Sequence, residues 1–554
     1  MRFKELTDVF DKIDGTSKRL EKTDIIADFL STTDEYLIPT LCNFLQGRVF
    51  PLWSEKELGV AQKLMVKCIS TVSGKSEKEI ENVIKDKGDT GAAAEEVLST
   101  KKQTTLYSRT LNVEDVENSL KRLADLGGKG SQDKKMAYIK ELLSSAEGNE
   151  AKFIVRIILG ELRLGVGDGI VRDSIVKAFE VPVEEVERAY YLTSDLGEVA
   201  RTVKVNGVSG LKEISMEPGR PIKVMLAQKK QSVREAIEDL GEAAYEIKYD
   251  GARVQIHKKG DEVVLYTRRL ENVTDQFPEI VNAAREHIKV KAAIIEGEIV
   301  AITMMGDRTP RPFQDLSRRI RRKYNIDEIQ KKIPVEVNLF DVLYIDGENM
   351  LSTPFSERRK LLKKIIDATA IFRVAEQKVT ANPDIAENFY KHALSMKHEG
   401  VMVKVLNAPY KPGSRVGYMY KVKPIMETLD LVVVGATWGE GRRANWLGSY
   451  LLAVFDANTG EFQTIGRMAT GLSDQQLEEY TELFKQYIIR ESGQGVSIKP
   501  HIVFEVAYEE IQKSPTYDSG YALRFPRLVR LRDDKGPQDA DSLERVEEIL
   551  KNEV

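Results

Sequence analysis

The spacing of apolar positions divides the chain into three stretches. From residue 1 to about 215, apolar residues recur at three- and four-residue intervals, the period of an amphipathic helix. Between 57 and 69, Leu58, Ala61, Leu64, Met65, Cys68 and Ile69 would share one helical face, and the pattern returns over 113–143 and 151–162. Glycine-rich polar breaks interrupt it at 87–91, 127–135 and 163–169. Such breaks serve as plain helix turns. The second and third could also offer backbone N–H groups and Lys134, Lys135 or Arg163 to phosphates, with the next helix N-terminus adding its dipole.

The period changes at the turn-rich junction Glu217-Pro218-Gly219-Arg220-Pro221. From there to Lys423, strands alternate apolar and polar residues. A hairpin is expected from 253–257, through Lys259-Gly260-Asp261, to 262–266. Further strands are expected at 293–302, 335–344 and 401–406, with helices at 356–367 and 385–396, which makes a mixed α+β region of about 200 residues. After Leu429 come short strands at 431–434, 450–455, 462–466 and 502–508, with helices at 474–487 and 541–551. That pattern suggests a small barrel of the oligonucleotide-binding type. Arg442, Arg443, Arg527, Arg530, Arg532 and Lys535 stand near Trp438, Trp446 and Tyr517, a mix that suits either solvated charge or a surface that follows phosphates.

With 554 residues, the chain exceeds a single hydrophobic core, so two to four domains are expected. Its 42% apolar and 31% charged residues describe folded domains with a highly charged surface. The net charge is −4, so any nucleic-acid contact must come from local basic patches rather than a global field. Two cysteines, Cys42 and Cys68, cannot build a four-cysteine zinc site and call for no disulfide framework, which fits a reducing cytosol. With no export signal at the start and no 18-residue apolar run, a cytoplasmic protein without membrane contact is expected.

The candidate chemistry centres on Glu246-Ile247-Lys248-Tyr249-Asp250-Gly251-Ala252-Arg253. A lysine amine attacks well when it is held beside an electrophile, with neighbouring cations and partial desolvation helping it to lose its proton. Glu246 and Lys248 are two apart and share a strand face; so do Glu296 and Glu298, and Lys421 and Lys423. Charges on strands flanked by apolar residues need partners. They could satisfy one another as a structural network. A cleft holding an anionic ligand, with a divalent cation between carboxylates and phosphate oxygens, is the more economical reading. Glu399 and Lys404 are five apart, so parity leaves open whether Glu399 precedes its strand or Gly400 marks a bulge. Phe340 is either core or a cover for one face of a purine, and Arg253, Arg268 and Arg415 complete a positive set suited to a triphosphate. No GxxxxGK[ST] phosphate loop, strand-to-helix GxGxxG or nucleophilic triad occurs, and the five histidines do not fall at metal-ligand spacing.

These motifs together resemble the ATP-dependent DNA ligases, more narrowly their archaeal form. The pattern KxDG stands as Lys248-Tyr249-Asp250-Gly251 with Arg253 downstream. It is followed in order by Tyr266-Thr267-Arg268-Arg269, Glu296-Gly297-Glu298, Leu339-Phe340-Asp341, Glu399-Gly400-Val401-Met402-Val403-Lys404, Lys421-Val422-Lys423 and a run from Arg524-Phe525-Pro526-Arg527 to Lys535. The resemblance covers essentially the whole chain. It implies three domains: an all-α DNA-binding domain (1–215), an α+β nucleotidyltransferase or adenylation domain (216–423) and a β-barrel OB-fold domain (424–554).

The activity it implies is sealing of nicked duplex DNA in replication, repair and recombination, through Lys248-linked AMP, with ATP and Mg²⁺. Glu246 is expected to orient adenine and Phe340 to stack on it. Arg253, Arg268 and Arg415 are expected at ribose or phosphates, Glu298 at the ribose or metal, and Glu399 at Mg²⁺. Lys404, Lys421 and Lys423 are expected at the transferred phosphate, and Arg527, Arg530 and Lys535 at pyrophosphate. A monomer is expected, with nicked duplex DNA as partner, a sliding clamp as a further candidate, and association with the nucleoid. One departure stands out: Met419 occupies the place, two before Lys421, where the family commonly has tryptophan, which weakens stacking there. An RNA ligase or a capping guanylyltransferase shares the lysine chemistry, but the helical front region and Glu246 argue against both. The cysteine count argues against an NAD-dependent ligase. A catalytically idle DNA clamp would have lost Lys248, Glu298 or Glu399, and all three are present.

Overall fold

The structure, a computed structural model, describes residues 1–553 apart from 55, 100–109, 129, 304–308, 312, 323, 425–427, 440–442 and 458. Lys129 and Arg442 therefore lie outside the described residues. By packing, the chain forms two compact units, residues 1–84 with 90–424 and residues 425–554 with 85–89.

Among the described residues up to 213 the elements are helices, from Phe3–Asp14 to Leu196–Glu213, around a core that includes Phe3, Phe10, Phe44 and Phe153. One expected helix starts late. Helix Gln62–Ser73 opens at 62, not 57, because Gly59 takes φ +57°, outside the right-handed helical region. The break at 163–169 does more than turn the chain. Asp168 accepts hydrogen bonds from Gln46 Nε2 at 2.8 Å and from the Tyr190 hydroxyl. Lys223 Nζ, beyond the junction, lies 3.5 Å from the same carboxylate. Leu192 joins an apolar cluster with Met216, Ile222, Met225, Ile294, Leu343, Tyr410 and Met419. The change of period near 215 is thus a change of secondary structure across a shared core.

Two sheets make the central region. The strands are β1 (Gln228–Lys230), β2 (Ala243–Lys248), β3 (Ala252–Lys259), β4 (Glu262–Thr267), β5 (Ala292–Ala301), β6 (Val335–Ile345), β7 (Glu348–Asn349), β8 (Phe372–Val374), β9 (Gln377–Thr380), β10 (Gly400–Lys404) and β11 (Met419–Val422). One sheet runs β1-β11-β10-β2-β9; the other runs β4-β3-β5-β6-β7, with β8 on β6. The expected hairpin is β3–β4, closed by the pair Lys259 and Glu262. In the first sheet the odd positions Tyr245, Ile247, Val401 and Val403 face an apolar cluster that includes Ala386 and Phe389 of helix Pro383–Ser395. In the second, Val254, Ile256, Ile295 and Val342 face another with Phe277, Ile280 and Leu362. Each sheet thus buries one face under helices, while the other carries the polar residues together with Ile294, Leu343 and Met419 of the cluster around Leu192.

The second unit holds a seven-stranded sheet built on β12 (Leu429–Trp438), β13 (Leu447–Asp456), β14 (Glu461–Met468), β15 (Ile488–Ser492), β16 (Gly495–Ile498), β17 (Val503–Ala507) and β20 (Arg527–Arg532), with β18 (Glu510–Lys513) and β19 (Tyr521–Arg524) as a separate pair. The path β14-β13-β12-β17-β20 curls back on itself, since Thr470, just past β14, bridges Arg527 at the start of β20. Helix Asp474–Lys485 packs Phe484 and Tyr480 into its core.

Candidate active site

Lys248 ends β2, and Asp250 and Gly251 turn the chain into β3. Glycine is required at 251 by proximity: a Cβ there would lie 2.3 Å from the Ile299 carbonyl and 2.9 Å from Glu298 Cγ. The turn therefore lies directly against β5 beside Glu298. Register carries the rest of the first sheet. Lys248 pairs with Gly400, Glu246 with Met402, Met402 with Lys421, and Ala244 with Lys404. Directly paired residues share a face, so Glu246, Lys248, Met402, Lys404 and Lys421 all belong to the face that the apolar cluster leaves free.

Glu399 precedes β10, which resolves the parity question. Gly400 takes φ +133°, and a Cβ there would sit 2.2 Å from the Val422 carbonyl; only glycine lets the chain turn in so close. The Glu399 N–H donates to the Lys248 carbonyl at 3.0 Å. Lys248 Nζ lies 2.6 Å from Glu399 Oε2, and Lys423 pairs with the same oxygen. Burial pushes the Glu399 carboxyl upward, but the two lysines more than reverse this and hold it at about 2. Glu298 goes the other way: burial raises it to about 7 against the pull of Lys248 and Arg253, with Glu399 and Asp250 adding repulsion. Two neighbouring carboxyls thus hold their protons very differently, the kind of divergence that marks working sites.

A second cluster surrounds Glu246, which is buried. Its carboxylate takes Lys404 Nζ at 2.6 Å, Gln377 Nε2 at 2.9 Å and Arg359 at 3.5 Å. Lys404 lies over the Phe340 ring at 4.5 Å and the Phe355 ring at 4.7 Å. Lys404 is thus paired with Glu246 and not with Glu399. Arg253 lies 5.4 Å from the Phe340 ring, and its guanidinium is held by Glu296 at 2.6 Å and the Met225 carbonyl at 3.2 Å. Glu296 also accepts from Tyr410 at 2.9 Å and Gln255 at 3.2 Å. A small recess is lined by Arg253, Glu296, Phe340, Arg358, Lys404 and Tyr410 among others.

Arg268 and Arg415 are exposed and, among the described residues, form no ion pair with either cluster. In the second unit, Arg530 pairs with Glu505 at 2.6 Å and Lys535 with Asp430 at 2.6 Å, while Arg527 is exposed at the start of β20. Lys135 is a correction: it is buried and donates to the Leu58 carbonyl at 2.6 Å, so it holds the 54–61 segment and is not available to phosphate. Lys134 remains exposed, and Arg163 pairs with Glu161 at 3.0 Å.

Sequence reading missed Arg358, Arg359, Gln377 and Tyr410. Arg358 grips Asp341 with two bonds of 2.7 and 2.9 Å, and Arg359 donates to the Leu339 carbonyl at 3.1 Å. A signal was present. Phe355, Arg358, Arg359 and Leu362 fall at i, i+3, i+4 and i+7, so the arginines lie on the helix's buried face.

The site's residues fall within recognised families. Residues 2–176 match a family described as DNA ligase N terminus, 224–423 one described as ATP dependent DNA ligase domain, and 443–535 one described as ATP dependent DNA ligase C terminal region. The chain is 48% identical to a DNA ligase of Thermococcus fumicolans, over 99% of this chain and 98% of that one. It is 46% identical to a DNA ligase of Methanopyrus kandleri, over 100% and 99%. A solved structure named Pmar-Lig_Pre., 18% identical, shares the fold with a TM-score of 0.60 over 95% of this chain and 99% of its own.

Proposed function

The chain belongs to the ATP-dependent DNA ligases and is an enzyme that seals nicks in duplex DNA, and on that premise we propose that its chemistry runs through AMP carried on Lys248. In this reading Nζ of Lys248 attacks the α-phosphorus of ATP, the bond to the bridging oxygen breaks and pyrophosphate leaves. A 5′-phosphate oxygen at the nick then attacks the same phosphorus, breaking the P–N bond. Finally the 3′-hydroxyl attacks the 5′-phosphate and AMP departs. The covalent stage keeps the nucleotide activated until a nick is in place.

The observation that carries this reading is the position of Lys248, at a strand end between Glu399 and the turn that lies on Glu298. Glu399, itself shared with Lys423, holds its amine toward the polar face of the sheet. Glu246, fixed by Lys404, Gln377 and Arg359, is suited to accept from an adenine amino group beside Phe340. Lys404 then serves the base end of the site, while Lys421 and Lys423 serve the phosphate. Arg253 supports that face through Glu296, and Arg268 and Arg415 remain free to meet ribose or phosphate when substrate enters.

Mg²⁺ fits the donor set. Glu298 and Glu399 feel each other's charge, and paired carboxylates with ligand oxygens suit a hard divalent cation. Among the described residues no group of three or more His, Cys, Asp or Glu gathers for a metal, so water and phosphate would supply the remaining ligands. Bound there, the ion would neutralise phosphate charge.

We read residues 1–215 as the DNA-binding domain, 216–423 as the adenylation domain and 424–554 as an OB-fold domain. The last rests on the curled path β14-β13-β12-β17-β20. There Arg527, Arg530 and Lys535 would serve pyrophosphate.

Incubation with α-labelled ATP and Mg²⁺ tests the assignment. The intact protein should take up label at the peptide carrying Lys248, and GTP should label it far less. Equal labelling of Lys248→Ala would overturn the assignment, and a preference for GTP would favour capping chemistry.

A further inference from the structure

In a chain of net charge −4, residues 311–332 carry eight basic and three acidic side chains. Part of that charge is structural. Arg319 is fully buried against Glu279 at 2.6 Å, and Arg311 pairs with Asp315 at 2.8 Å. Other members point outward. Arg318, 3.6 Å from Asp315, keeps 77% of its side chain exposed, Arg321 and Arg322 are exposed, and Tyr324 is 80% exposed just beyond them. A large aromatic left bare among cations, where burying it elsewhere would be favourable, is the composition of a surface that meets sugar and phosphate together. Neither the catalytic clusters nor the core uses these residues.

The patch has a defined relation to the chemistry. It begins on helix Phe313–Ile320, which carries Arg318 and whose first N–H donates to Asp250 of the lysine motif at 3.4 Å. Arg318 lies about 8 Å along the helix, and Tyr324, four residues past the end of a helix about 12 Å long, lies at most about 14 Å further. At 3.4 Å per nucleotide along one strand, the patch lies within about eight nucleotides of the lysine motif.

We propose that Arg318, Arg321, Arg322 and Tyr324 form a second grip on duplex DNA, a phosphate-tracking surface on the central domain that engages one arm of the substrate within about eight nucleotides of the nick. The proposal rests on the nick-sealing reading and adds the surface and its distance. Its contacts are to backbone and therefore independent of base sequence.

The test compares the full-length protein with a triple variant, Arg318→Gln/Arg321→Gln/Arg322→Gln, and its triple-lysine counterpart. Binding to nicked duplex is followed from about 0.05 to 0.2 M salt, and self-adenylation with ATP alone reports on folding. Three lost phosphate contacts reduce the log–log slope by about 2.7, so over this range the wild type should lose about 40-fold more affinity than the glutamine variant. The lysine variant should keep the wild-type slope. Lengthening one arm to about eight base pairs should strengthen binding of the wild type and not of the glutamine variant.

An unchanged slope and arm dependence in the glutamine variant would overturn the proposal. Because binding needs no turnover, single Arg318→Gln and Arg321→Gln variants decide the matter even if the triple variant adenylates poorly: each should lower the slope by about one, and no change in either overturns the proposal. Failure of the wild type itself to bind or seal nicks would count against the nick-sealing reading instead.

Discussion

Glu298 and Glu399 show at the residue scale how environment sets chemistry. Glu399, held at about 2 by Lys248 and Lys423, favours folding above the ordinary carboxyl range and loses that contribution as pH falls toward 2. Glu298, raised to about 7 by burial, has the opposite sign. It binds its proton more tightly when folded, so its contribution declines as pH rises from about 4.5 to 7. Glu298→Gln should therefore raise stability at pH 8, read from the urea midpoint, by up to about 3 kcal/mol, and by less than about 1 kcal/mol at pH 5. An equal effect at both pH values would mean that the Glu298 carboxyl is not desolvated. The pairings of residues two apart were legible from strand parity alone. Lys404 was not placed by parity, because Gly400 and the segment before β10 reset the count. Its partner Glu246 lies across the β2–β10 ladder, a relation set by register rather than by sequence spacing.

At the scale of elements, helix Phe355–Ile365 fastens the base end of the site. Arg358 is 1% exposed and fully engaged with Asp341, next to Phe340, and with the Ala408 carbonyl. Arg358→Leu leaves Asp341 buried without its cation, which should cost about 3–5 kcal/mol, read from denaturant midpoints. A loss under 1 kcal/mol would show that Asp341 finds water instead. The helix and the β3–β4 hairpin were legible because their periods are long and clear. Strand β15, largely exposed at Ile488–Ser492, was not, since a polar edge strand has no alternation to read. The misplaced start of helix Gln62–Ser73 has a different cause. Apolar spacing continued through Leu58 and Ala61, and Gly59 overrode it.

At the scale of the whole molecule, the three stretches seen in the apolar pattern correspond to a helical, a central and a C-terminal sheet domain. The shared core of the first two was not legible, since Gln46, Asp168, Tyr190 and Lys223 are far apart in sequence. Asp168→Ala should free all of these groups, lowering stability by about 1–2 kcal/mol and opening residues 214–223 to limited proteolysis. Protection unchanged from wild type would show that the apolar cluster around Leu192 holds the junction alone. The central claim, that Lys248 carries AMP and is needed only until AMP reaches DNA, is tested most directly by single-turnover sealing with Lys248→Ala. With ATP and a 5′-phosphate nick the variant should form no product. Given a nick already carrying the 5′-adenylate, it should seal at close to the wild-type rate. Sealing of the plain nick by the variant would contradict the account.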